Sequence, residues 1–155
     1  MQASGVFRDA SANLPQTLPQ GEWLGRAQVC DYDADGDLDV HLISRRVDVL
    51  LRNDGAGSFS IHGYGAVDEP SHRSHFADFD RDGDLDLFIG TRMIAGQYPL
   101  PATSHLWINQ SSQGKPATFT DSASPFEKLG LVTSAVWSDV DTDGWIDLVV
   151  TYDWG

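Results

Sequence analysis

Short apolar runs, each bounded by glycine, aspartate or asparagine, organise this 155-residue chain. Leu38–Ile43, Leu85–Ile89 and Ile146–Val150 are rich in β-branched, leucine and aromatic positions with strand-like patterning. A second set of strands precedes them, alternating through Ala27 and Val29, Ser74 and Phe76, and Ala135 and Trp137. In the first copy a third strand is predicted over residues 47–52 and a fourth over 58–61, joined by a tight turn from Asn53 to Gly57. The second copy repeats this with strands over 104–109 and 117–121 and a turn through Gly114. Residues 94–102, rich in Gly and Pro, read as an exposed loop inserted before its third strand. Four strands per repeat predict an all-β chain, a partial β-propeller of four-stranded antiparallel blades. The blades are expected at 23–70 and 71–130, with the first half of a third at 131–155. Residues 1–22 hold a linker and, at Gly5–Asp9, the last strand of a preceding blade. Closed propellers have about four to eight blades, so the remaining blades are expected in a longer parent chain, with self-assembly as the alternative.

Between the first and second strand of each repeat lies D-x-D-x-D-G-x-x-D, starting at Asp31, Asp78 and Asp139, 47 and then 61 residues apart. Alternating carboxylates followed by a glycine let a short loop wrap oxygens around one hard cation. Ca²⁺, which accepts about six to eight oxygens in a flexible shell, suits this better than Mg²⁺. Three Ca²⁺ sites are therefore expected. The first takes side-chain oxygens from Asp31, Asp33, Asp35 and Asp39 and the carbonyl of Asp37. The second takes Asp78, Asp80, Asp82 and Asp86 with the carbonyl of Asp84, and the third Asp139, Asp141, Asp143 and Asp147 with the carbonyl of Trp145. An indole cannot ligate calcium, so Trp145 supports a backbone role at position seven. Gly36, Gly83 and Gly144 mark the sharp turn. An EF-hand would need a bidentate Glu at position twelve, where this chain has Leu42, Ile89 and Val150. One copy alone would be an ordinary acidic turn.

The formal charge is −13, and twelve of the 23 acidic residues are the expected side-chain ligands. Three divalent ions would raise the charge by six, to −7. No basic stripe offsets this field, so nucleic acid is not an expected partner. Cys30 is the only cysteine, which excludes an intrachain disulfide and reads as a buried small residue. No apolar run is long enough for a transmembrane helix, so membrane insertion is not expected. The first residues lack the basic and apolar regions of an export signal.

The loop motif together with L-x-x-N-x-G-x-G-x-F resembles FG-GAP/VCBS-type repeats. Leu51–Phe59 carries the hairpin part, and Leu106–Asn109 with Phe119–Asp121 a looser version. Within that group the chain is most similar to cartilage-acidic-protein-like and bacterial secreted members. The resemblance implies a calcium-stabilised propeller, extracellular, periplasmic or on the cell surface, serving adhesion, scaffolding or glycan binding.

The leading expectation is thus a calcium-binding structural or interaction module of an exported protein, with a protein or glycan ligand. A lectin-like propeller is the alternative, with Trp23, Tyr64, Tyr98, Trp107 and Trp154 as sugar-stacking candidates, although Trp107 and Trp137 sit at core-facing spacing. An accessory domain of a secreted enzyme is a third reading. The chain itself is not expected to be an enzyme, since no nucleophile elbow, zinc-protease helix or phosphate loop occurs. His72 and His75, three apart on a strand, face opposite ways and read as surface or packing residues. Asn109-Gln-Ser111 has the form of a glycosylation site.

Overall fold

Each apolar run pairs with its neighbour in chain order. The computed structural model describes residues 7–18, 24–44, 48–62, 71–94, 96–100, 102–111, 118–122, 125–126 and 129–153. β1 (Leu24–Cys30), β2 (Asp39–Ser44), β3 (Val49–Asn53) and β4 (Phe59–His62) form one antiparallel sheet in that order. β5 (Ser71–Ala77), β6 (Asp86–Thr91), β7 (His105–Asn109) and β8 (Phe119–Asp121) form a second, with the same order. β9 (Val132–Ser138) and β10 (Asp147–Tyr152) form a two-stranded third. A single 3₁₀ turn, Ser11–Asn13, is the one helical element among the described residues, and no helix there is long and apolar enough to cross a membrane.

The expected strands are present within one or two residues. Val47, Gly114 and Ala117 lie outside the described residues. The loop at 94–102 carries exposed Tyr98 and Leu100. The expected strand at Gly5–Asp9 is corrected in its described part. Phe7–Asp9 form no strand and Phe7 is fully exposed, because no ladder among the described residues offers this segment a partner.

The repeat extends to an irregularity that no composition signal marks. Each first strand carries one unpaired residue at the same place, Gly25, His72 and Thr133, spaced like the loops. A one-residue bulge bends a strand and increases its twist, so the three units bend alike.

Alternation along the strands divides the side chains between neighbouring units. Leu87 and Ile89 on β6 turn toward the first unit, where they pack with Tyr32 and Leu50, backed by Trp107 and Phe119. Phe88, between them, turns toward the third unit and joins Leu106, Ala135, Trp137, Leu148 and Val150. The residue at loop position two fills the seam to the next unit. Tyr32 is buried there, and Phe79 stacks on Trp137 at 6.2 Å between ring centroids. The equivalent Val140, with no following unit among the described residues, is 62% exposed. The seam between the first two units also holds a buried polar group. Ser74 Oγ lies 3.2 Å from His41 Nδ1 and donates to Gln28 Oε1, while Gln28 Nε2 donates to the Ser74 carbonyl. Burial lowers the His41 pKa to about 4, so the ring sits neutral against Phe76.

The second and third units meet tightly at Gly90, where an added Cβ would stand 2.6 Å from Val132 Cγ1. Gly90→Ala is expected to lower stability by about 1–3 kcal/mol in urea denaturation. Val132→Ala opens space at the same point, so the double variant should lose less than the two single changes together.

Candidate metal centre

All three aspartate loops adopt one conformation, set by backbone and carboxylate alike. Position four is left-handed in each, at Ala34, Arg81 and Thr142, with φ of 53°, 65° and 63°. Position six is Gly36, Gly83 or Gly144, with φ of 95°, 98° and 88°. Position-one carboxylates accept the amide of that glycine, from Gly36 to Asp31, Gly83 to Asp78 and Gly144 to Asp139. Position-five carboxylates accept the amide two residues on, from Asp37 to Asp35, Asp84 to Asp82 and Trp145 to Asp143. The position-five bonds are Asx turns, in which a short acidic side chain replaces a backbone acceptor.

Position nine ties the loop to the sheet. Asp39 Oδ2 accepts the Tyr32 amide at 3.1 Å and its Oδ1 the Asn53 amide at 2.8 Å. Asp86 does the same with Phe79 at 3.2 Å and Asn109 at 2.8 Å. Both carboxyls are fully buried, and burial pushes each pKa up to about 6, against the lowering by the two amides. Asp147 accepts the Val140 amide at 2.9 Å, but no third strand follows among the described residues to supply a second donor.

The loops bring together Asp31, Asp33 and Asp39, then Asp78, Asp80 and Asp86, then Asp139, Asp141 and Asp143, each set offering oxygens within 4.8 Å of one another. Asp35 and Asp82 fall outside the first two sets, and Asp147 outside the third. Among the position-seven residues, Asp84 is buried, which raises its pKa ahead of the like charges of Asp82 and Asp33. Asp37 sits beside Gly55, where an added Cβ would be 2.6 Å from its Oδ2. Trp145 is half exposed beneath the Arg81 guanidinium, which stands 3.9 Å from the ring centroid and so links the second and third loops.

The donor set fits a hard divalent cation. It consists of carboxylate oxygens alone, and two of them, Asp33 Oδ1 and Asp78 Oδ1, are buried without a hydrogen-bond partner. A buried carboxylate oxygen left unpaired is costly, and a cation is the partner that removes that cost.

Residues 31–89 match the family described as FG-GAP-like repeat, a span running from the first loop through the second to Ile89 on β6. Residues 31–89 are an FG-GAP-type repeat. No curated protein matches the chain. An FG-GAP-type repeat is consistent with a structural or interaction module.

Several side chains that the sequence left without a role organise these FG-GAP-type loops. Asn53 Nδ2 donates to the Leu38 carbonyl, and its Oδ1 accepts from Gly55 and Gly57. Asn109 Nδ2 donates to the carbonyls of Tyr32 and Leu85, joining the two units. The asparagine of L-x-x-N is therefore a hub between loop, turn and seam. Asn109 is fully buried and used in these bonds, so the glycosylation-site pattern at Asn109-Gln-Ser111 does not present its side chain to solvent. Of the proposed sugar-stacking residues, Trp107 packs in the core and Tyr98 is exposed, while Trp23, Tyr64 and Trp154 lie outside the described residues. Cys30 is half-buried against the core, and burial pushes its thiol up to about 12. His75 is half-buried and its carbonyl accepts from Trp137 Nε1, whereas the His72 side chain is outside the described residues.

Asn109→Ala removes the Nδ2 bonds to the Leu85 and Tyr32 carbonyls, the latter keeping only the Leu85 amide. It should lower stability by about 1–3 kcal/mol in thermal or urea melts. Asn109→Asp keeps the size and the acceptor but places a charge beside Asp86, and is expected to cost more.

Proposed function

We propose that this chain is a non-enzymatic, calcium-stabilised module from an exported protein, built as part of a β-propeller that presents loops to a protein or glycan ligand. The observation that carries the reading is a three-carboxylate cluster in each of three loops that share the same left-handed positions, two of them with a buried, unpartnered oxygen. Asp31, Asp33 and Asp39 would hold the first ion, Asp78, Asp80 and Asp86 the second, and Asp139, Asp141 and Asp143 the third.

Bound calcium would neutralise carboxylates that otherwise repel one another. The residues themselves do the positioning, since Asp39 and Asp86 fix each loop to its own β-ribbon. An ion that binds the closed loop and not the unfolded chain stabilises the fold by RT ln(1 + [L]/Kd). Extracellular modules bind at about 10⁻⁴–10⁻³ M, so in an exported protein millimolar calcium would keep such sites loaded. The exposed apolar positions on the outer strands, Val29 on β1 and Val136 and Val149 on β9 and β10, support further blades on either side.

Calorimetric titration should find three calcium ions per chain, and millimolar calcium should raise the melting temperature relative to EGTA. Asp31→Asn, Asp78→Asn and Asp139→Asn should each reduce the stoichiometry by one. The reading is abandoned if calcium neither binds nor shifts the melt.

A further inference from the structure

The first two loops match in backbone and carboxylates but differ in what faces them from the third strand. Arg52 on β3 reaches back across 19 residues, placing Nε 2.6 Å from Asp33 Oδ2 and an Nη 3.1 Å from Asp35 Oδ2. It is three-quarters buried, and the Asp33 side chain is 1% exposed. The second sheet carries Ile108 at the same register position, one residue before Asn109 as Arg52 is one before Asn53. No guanidinium is paired with Asp80 or Asp82 among the described residues.

We propose that Arg52 is a resident counter-charge of the first loop, so that this chain's calcium sites load at different concentrations. This rests on the calcium reading above and adds the ranking of its sites. Two independent observations carry it. The guanidinium occupies one oxygen of Asp33 and draws on Asp35, whose other oxygen accepts the Asp37 amide. Asp35 lies outside the cluster formed by Asp31, Asp33 and Asp39, as Asp82 does in the second loop, so the guanidinium acts on the cluster through Asp33. Meanwhile Asp33 Oδ1 stays buried and unpartnered, so the loop keeps an oxygen for an ion while its net charge is already reduced.

A planar guanidinium bridging two carboxylates does part of the ion's work without the ion, since it relieves their repulsion and holds them in place. The same positive charge opposes an incoming divalent cation at short range. The first loop therefore remains ordered at low calcium and binds after the second. The second loop, facing Ile108, has no such support and depends more on its ion. One unit keeps its form while the other responds.

The test is calcium titration by calorimetry on the full chain, with melting in EGTA, for wild type, Arg52→Ile and Ile108→Arg. Arg52→Ile should tighten one binding step by about ten-fold, the scale set by removing one nearby positive charge. It should also lower the EGTA melting temperature and enlarge the calcium-induced shift. Ile108→Arg should weaken one step by a similar factor and raise the EGTA melting temperature. If Arg52→Ile does not fold, the result for Ile108→Arg decides the matter. Wild type that binds calcium while Arg52→Ile binds no more tightly, or Ile108→Arg no more weakly, overturns the counter-charge and leaves the calcium reading intact. Wild type that binds none overturns both.

Discussion

The position-nine aspartate is the constraint from which the rest of each unit follows. Asp39 and Asp86 each accept one amide from the start of their own loop and one from the third strand, inside the sheet and away from water. A buried carboxylate with both oxygens engaged fixes the loop's entry, the start of β2 or β6 and the register of β3 or β7 at once. It also holds an anion where burial disfavours one, with other carboxylates close by. The structure thus places negative charge in a position that a cation stabilises. Local folding and the proposed ion binding would both follow from the same residue.

From that point the seams are determined. With loop position two pinned by its amide, Tyr32 and Phe79 are carried into the next unit, where they meet Phe119 and Trp137. The asparagine ending β3 and β7 completes the arrangement by bonding the loop carbonyls, and in Asn109 it crosses to the neighbouring unit. Packing between units is therefore coupled to loop geometry, which explains why the motif and the apolar pattern recur together.

Much of this was legible in the sequence because period-two alternation and the aspartate spacing are both local signals. The strands fell within a residue or two of Leu38–Ile43, Leu85–Ile89 and Ile146–Val150, and the loops lie between first and second strands as expected. What was not legible depends on contacts across tens of residues. The reach of Arg52 to Asp33, the group formed by Gln28, Ser74 and His41, and the hub at Asn109 leave no trace in spacing alone. The left-handed residue at position four escaped notice because Ala34, Arg81 and Thr142 share no side-chain chemistry. The strand expected at Gly5–Asp9 failed in its described part because strand patterning carries no information about whether a partner edge is present.

Crystals of this chain grown in millimolar calcium, with anomalous diffraction recorded at long wavelength, address the central claim most directly. The account predicts three anomalous peaks, one each within ligand distance of Asp31 and Asp33, of Asp78 and Asp80, and of Asp139 and Asp141. Ordered loops of the same shape with no peak at any of the three positions would contradict it.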